Sequence, residues 1–520
     1  MRRFFLLLLC MLLLLGGCGP KTEEGSSSSQ QDPEPDVSSS QTEEPQQSQP
    51  FSLAAYPSYS FHPALTKSQA NRTLAPLMFE SLFTLDSSFE PQGVLCQSYS
   101  VSTDGLTWTF VLKDGVTFSD GTPLTGETVA QALEVARGAG SQYAGRLSGV
   151  TGFSGSGQTV TATLTTPNNR LPALLDIPIA LGTGDCPAGT GPYVLTQEGS
   201  SLSLTARSDW WQGAASLPVQ RIELVSMSPN SDLATAFSSG QITLLDTDLT
   251  GSNELGYSGS YQVWDYATTD LVYLGFNTTR GLCQREEVRQ AISQAIDRDY
   301  VADTVYARHA VATALPFHPD SGLYNQEVAQ ELELDLQPLR DLELKGKSIT
   351  LVVNIEDTAK SAAASSIESQ LEQAGLSVTV ERLPWEEYTA ALAAGNFDLY
   401  LAEVYLTADF DLSALVSPTG SLNYGRWQDL AISALLDRLR QAQDGMRQVA
   451  ADGLSRYLVQ CSPIAPICFK NGSVLTQYGR VEGVSPVQNN VFANLSGWTV
   501  TQKENCNAWR NEDECLPLLF

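Results

Sequence analysis

Side chains able to do covalent or metal chemistry are sparse in this sequence. Its 520 residues include three histidines, His62, His309 and His318, spaced too widely to suggest a Ser-His-Asp triad or a zinc pair. A secreted hydrolase needs an activated nucleophile, and Gly152-Phe153-Ser154-Gly155-Ser156 misses the final glycine of a G-x-S-x-G elbow. No H-E-x-x-H occurs. Gly346-Lys347-Ser348 has the end of a phosphate loop, but position 341 is Asp341 rather than glycine, and a strand pattern follows where a helix is needed. Neither catalysis nor a bound cofactor or metal is expected, and a secreted hydrolase is the weakest functional reading.

The cysteines speak of place rather than chemistry. Met1-Arg2-Arg3 and the apolar run Phe4 to Leu15 have the layout of a secretory signal over residues 1–17. At about a dozen residues the run is too short to cross a hydrocarbon core, which takes roughly 20 helical residues. Leu15-Gly16-Gly17-Cys18 resembles the bacterial lipobox, which implies that Cys18 is acylated and becomes the mature amino terminus. Each buried methylene contributes about 0.8 kcal/mol, so two or three acyl chains hold a domain on a membrane. Residues 18–50 read as a disordered linker, since Lys21 to Pro50 is almost wholly Ser, Gln, Glu, Asp and Pro, with Val37 its sole sizeable aliphatic residue. The expected location is the outer face of the cytoplasmic membrane of a Gram-positive-type bacterium. Of nine cysteines, Cys10 leaves with the signal and Cys18 is acylated; Cys96, Cys186, Cys283, Cys461, Cys468, Cys506 and Cys515 remain. That is an odd number without a disulfide framework or zinc spacing, although Cys461 with Cys468, or Cys506 with Cys515, could bridge locally.

Beyond the linker about 470 residues remain, enough for roughly three units of ~150 residues. Formal charge is −28, which repels nucleic acid and removes that partner class.

The elements that must position any site fall into two styles. From Phe51 to about Asp185 the pattern is short strands and turns: Thr107 to Leu112 alternates, and Lys113-Asp114-Gly115 and Ser119-Asp120-Gly121-Thr122-Pro123 punctuate it. A helix begins near Thr125, a suitable cap, with Val129, Leu133 and Val135 on one side. Later, Val288, Ala291, Ile292, Ala295 and Ile296 recur at helical spacing. Then come a strand at Ile349 to Ile355, a helix from about Ser361 to Ala374, a strand at Ser377 to Leu383, a helix from Trp385 and a strand at Phe397 to Val404. This alternation predicts a largely parallel sheet.

Several stretches, in order along the chain, resemble the peptide/nickel class (family 5) of extracellular solute-binding proteins of ABC importers. They are Asn71-Arg72-Thr73 through Phe79-Glu80-Ser81-Leu82, Gly105 to Phe110, Lys113 to Pro123, Gly189-Thr190-Gly191-Pro192-Tyr193, Tyr273-Leu274-Gly275-Phe276-Asn277, Val288-Arg289-Gln290-Ala291 and Ala295-Ile296-Asp297-Arg298. The resemblance implies an α/β, two-lobed periplasmic-binding-protein-like (class II) fold with an extra small α+β subdomain. The first lobe would cover 51–270, with the subdomain at about 95–185, and return at 476–500; the second would cover 271–475. Two departures are Ala307-Arg308-His309-Ala310 in place of a Gly-rich turn, and the tail Thr501 to Phe520.

In the resembling oligopeptide binders, a tryptophan opening a helix and an aspartate some twenty residues later hold the peptide. The matching residues here are Trp385 and Asp409, with Thr407 or Asp411 as alternatives to the aspartate, since one or two extra residues separate the markers. Tyr405 stands where many relatives have tryptophan against the ligand, and Leu65 to Gln69 borders the cleft from the other lobe, with Gln69 as its candidate contact. The resemblance therefore implies a monomeric lipoprotein that closes about its hinge on a peptide or peptide-like solute and delivers it to ABC permease subunits. A nickel or other metal chelate, or a ligand-sensing role without transport, is the alternative.

Overall fold

Alternating short strands dominate the first part of the chain. In the computed structural model, which describes residues 50–250 and 259–501, β1 (Ser52–Ala55) leads to α1 (Gln69–Thr73), capped by the Ser68 hydroxyl accepting from the Asn71 amide. Then β2 (Cys96–Val101), β3 (Thr107–Leu112), α2 (Gly126–Arg137), β4 (Val150–Ser156) and β5 (Thr159–Leu164) form the small α+β unit, with strand order β2–β3–β5–β4. The alternation puts Trp108, Phe110 and Leu112 inward against Val129 and Leu133 of α2. Thr125 and Thr128 close a reciprocal capping box at the helix start. Backbones of α2 and β4 touch at two glycines: a Cβ on Gly155 would lie 1.9 Å from the Gly126 carbonyl oxygen. Gly155→Ala is therefore expected to destabilise the chain by about 1–3 kcal/mol, read as a lower denaturant midpoint; an unchanged midpoint would mean that this contact yields freely.

A second sheet follows, with β6 (Tyr193–Glu198), β7 (Ser201–Ala206) and β8 (Arg221–Ser226) in the order β1–β8–β7–β6 and β1 parallel to β8. Several sequence markers are knots in this region. Gly189 and Gly191 lie against Met78, where any side chain would clash, and the buried Arg207 guanidinium gathers the carbonyls of Thr117, Phe118, Gly189 and Gly191. Glu80 accepts from the indole N–H groups of Trp210 and Trp211 and from the Gln212 amide.

The remaining strands build one larger sheet. They are β9 (Leu244–Thr247), β10 (Tyr261–Phe276), β11 (Ala310–Ala312), β12 (Ser348–Asn354), β13 (Ser377–Leu383), β14 (Leu399–Tyr405) and β15 (Ile464–Gln477). Its order is β9–β15–β10–β14–β12–β13, with β11 also paired to β15. The helices α3 (Glu286–Gln294), α4 (Thr358–Gln373), α5 (Trp385–Ala394), α6 (Ala431–Gln441) and α7 (Asp444–Cys461) cover it. One face packs on α3 and α4 through Val272, Leu274, Leu399, Leu401 and Ile367, and the other on α5, α6 and α7 through Tyr273, Tyr400, Leu392, Leu436 and Leu454.

The expectation of a largely parallel sheet is corrected: only β12 pairs in parallel, with β13 and β14, while β9, β10, β11 and β15 pair antiparallel. Strand–helix alternation reports the βαβ crossovers and is blind to strands that return from distant sequence. The helix expected from Ser361 starts three residues earlier, at Thr358, because the Asp357 side chain caps it. Cys461 and Cys468 are both free thiols, as are Cys96, Cys186 and Cys283; Cys18, Cys506, Cys515 and the tail beyond Thr501 lie outside the described residues.

β10 and β15 are long enough to serve two cores: Trp264, Tyr266 and Val474 pack with β1 and β8, and Val272, Leu274 and Ile467 with α3 and α4. Their pairing breaks register between Ala267 and Asp270, a bulge that lets both strands bend. The freed groups find partners: the Thr269 amide donates to Gln488, and the Thr268 and Thr269 hydroxyls donate to the carbonyls of Lys470 and Leu406.

Candidate functional site

β12 and β14 are parallel neighbours, so their carboxyl ends open at the same edge, where α4 and α5 begin. In α/β sheets such an edge is where ligands sit. Trp385 is the first residue of α5; its amide donates to Glu356 at 2.8 Å and its side chain projects, with the residue 57 % exposed. Tyr405 ends β14 opposite Asp270 of β10 and is 70 % exposed. Both rings are open to water at this edge of the sheet.

Beneath Tyr405 lies a row of charges invisible as a motif. Lys470 of β15 reaches Asp248 at 2.8 Å, Asp270 at 3.6 Å and Glu403 at 3.7 Å; Lys360, in the first turn of α4, reaches Asp357 and Glu403, each at 3.4 Å. Asp248 follows β9, so Lys470 bridges the two sides of the bulge. Burial, opposed by Lys470 and reinforced by Glu403 and Asp248, raises Asp270 to about 7. Desolvation disfavours the Lys470 ammonium, but the three carboxylates outweigh it and hold the lysine protonated above its ordinary range.

Sequence reasoning missed these residues, yet three of them left a trace. Asp270, Glu403 and Lys470 are lone charges beside apolar strand segments, Leu271-Val272-Tyr273, Leu399-Tyr400-Leu401 and Ile467-Cys468-Phe469. All lie on the face whose next residues enter the α3–α4 core, through Val272, Leu401 and Cys468.

Asp409 and Thr407 lie on the loop after β14, and Asp409 is buried. Its Oδ1 accepts from the Thr407 hydroxyl at 2.5 Å and its Oδ2 from the Asn168 amide at 2.9 Å, while Arg447 holds its carbonyl. Around it segments distant in sequence meet through Phe89 against Phe410, ring centroids 5.4 Å apart, and through Asn169 bonded to the Arg440 and Gln441 carbonyls. Asp411, the alternative, accepts from Ser413. Gln69, first residue of α1, accepts from the Arg72 guanidinium; from the same helix Thr73 donates to Asp246, which also accepts from Tyr266. Thr407 and Asp409 are thus brought together, whereas no hydrogen bond or ring contact among the described residues joins Trp385, Tyr405 and Gln69.

The histidines stand apart: His62 bonds the Gly182 carbonyl, His309 pairs with Asp265 at 2.9 Å, and His318 is buried between Phe89 and Phe469. No helix among the described residues is long and apolar enough to cross a membrane.

Residues 90–424 match the family described as "Bacterial extracellular solute-binding proteins, family 5 Middle". The oligopeptide-binding protein OppA of Bacillus subtilis is 22% identical over 472 residues, 79% of this chain and 85% of that protein. The dipeptide-binding protein DppE of the same organism is 21% identical over 457 residues, 78% of this chain and 84% of that one. Among solved structures, HbpA2 from Haemophilus parasuis aligns with a TM-score of 0.72 at 20% identity, covering 86% of this chain and 98% of that one.

Proposed function

The chain belongs to the bacterial extracellular solute-binding proteins of family 5, and from that premise we propose that it captures peptides or peptide-like solutes between its lobes and presents them to the permease of an ABC importer. The observation that carries the reading is the pair of exposed aromatics, Trp385 and Tyr405, at the carboxyl edge of the α/β sheet beside the bend in β10 and β15. Names of relatives such as OppA and DppE support the peptide class. The lobes run over 51–270 with 476–500, and over 271–475, with closure about the bulge; the monomer is anchored through an acylated Cys18.

Trp385 and Tyr405 form apolar walls for a ligand of varied side chains, while Asp409 takes the ligand's terminal ammonium in place of the Asn168 amide. Thr407 orients that carboxylate and Gln69 contributes a polar contact from the first lobe. A charge-assisted hydrogen bond contributes about 1.5–3 kcal/mol, so Asp409→Ala should weaken amine-bearing ligands about ten- to a hundredfold.

Native mass spectrometry of the protein purified without denaturation, followed by denaturing release, tests the function. A heterogeneous set of peptides is expected. A single non-peptide mass or a metal chelate would overturn the peptide reading, and unchanged affinity for amine-bearing peptides in Asp409→Ala would remove Asp409 from the site.

A further inference from the structure

The charge row beneath Tyr405 is unbalanced, and its imbalance faces the solvent. Four carboxylates, Asp248, Asp270, Asp357 and Glu403, surround two ammonium groups, Lys360 and Lys470. Protonating Asp270 still leaves an excess of negative charge. The lysine side chains are only 7 % and 9 % exposed, whereas those of Asp248 and Glu403 are 48 % and 31 % exposed. A solute arriving at this edge therefore meets carboxylate, with both cations behind it. Tyr405 adds the face of an open aromatic ring, to which cations are attracted.

Buried polar atoms at the back of the row are also incompletely satisfied. Asp270 is 2 % exposed and its Oδ1 has no hydrogen-bond partner; the hydroxyl of Tyr306, equally buried, has none either and lies in the field of Asp357, Glu403 and Asp270. Unpaired buried atoms of this kind are costly.

We propose that this edge is a subsite for a cation on the ligand, the ammonium or guanidinium of a basic side chain, received between the Tyr405 ring and the carboxylates of Asp248 and Glu403. The inference rests on the peptide-capture reading and narrows its substrate class to peptides bearing a basic residue. One carboxylate comes from each side of the bend, Asp248 after β9 and Glu403 from β14, so the cation is held fully when both sides are together. That gives the ligand a differential affinity for the closed form, which is what shifts a hinge equilibrium.

The test is a competition, read by native mass spectrometry on the full chain, between short synthetic peptides of graded length that differ only in carrying lysine, norleucine or glutamate at one position. The wild type should prefer the lysine version over the norleucine version about ten- to a hundredfold, and the glutamate version should bind most weakly. Asp248→Asn, at an exposed position, should remove most of the lysine preference, read as the ratio of lysine to norleucine binding within the variant, so that any change in closure common to both versions cancels. High salt should shrink the same preference in the wild type, because the carboxylates are open to screening. Equal binding of lysine and norleucine versions, a preference untouched by Asp248→Asn, or one insensitive to salt would overturn the subsite and leave peptide capture standing. If no version binds at any length, peptide capture falls and the subsite with it.

Discussion

Asp270→Asn should make the protein more stable at about pH 8 and leave it nearly unchanged at about pH 4. Burial raises the Asp270 carboxyl from 3.8 to about 7 in the folded chain. The folded state therefore holds a proton that the unfolded state has released throughout the interval between those values. Stability falls with pH wherever the folded state binds more protons, so this group's contribution is fully present below about pH 4 and is lost as pH rises through about 7. A gap of about three units corresponds to roughly 4 kcal/mol at 1.36 kcal/mol per unit, and asparagine, which stays neutral, avoids that loss. The value of about 7 already contains the opposing pull of Lys470, so a gain of about 2–4 kcal/mol is expected above about pH 7. Denaturant midpoints of variant and wild type across this range would check it. A difference that does not grow between about pH 4 and 7 would show that Asp270 titrates normally. The destabilising carboxylate sits at the candidate site, where local rules are most often broken.

Arg289→Met should cost about 3–5 kcal/mol. The Arg289 guanidinium is buried in α3 and donates to the carbonyls of Cys461, Ser462, Cys283 and Gln284 while lying over the Trp427 ring. It thus completes the unsatisfied carboxyl end of α7 and ties it to α3. Methionine fills similar space but leaves those carbonyls buried without donors. Lysine should rescue little, because a single ammonium cannot span the carbonyls that the planar fork reaches. A lower denaturant midpoint and faster amide exchange in the last turn of α7 are expected; an Arg289→Lys variant of full stability would mean that charge alone, not the fork, holds the joint.

The stretches that betrayed the family in sequence are mostly such joints. Arg289 belongs to one. Arg298 belongs to another, donating to the carbonyls of Pro466, Ile296 and Leu332 and to the Ser293 hydroxyl, and Asn277 donates to the Gly395 and Phe397 carbonyls. Gly189, Gly191 and Glu80 do the same work earlier in the chain. A buried polar group or a close backbone approach tolerates few residue types, so it leaves a readable mark. Ligand contacts need not.

Local patterning was enough to specify the α2 cap at Thr125, strand β13 at Ser377 to Leu383 and the α/β character of the later half. These depend on residues near one another in the chain, where period and capping chemistry act directly. Only folding decided that β10 and β15 each serve two cores, that most of the large sheet is antiparallel, and that Asn168, some 240 residues distant, occupies the Asp409 carboxylate. It alone gathered Asp248, Asp270, Lys360, Glu403 and Lys470 beneath Tyr405. Spacing in sequence carries no information about such pairings, because the free energy that fixes them comes from burying faces of elements that meet only when the chain has folded.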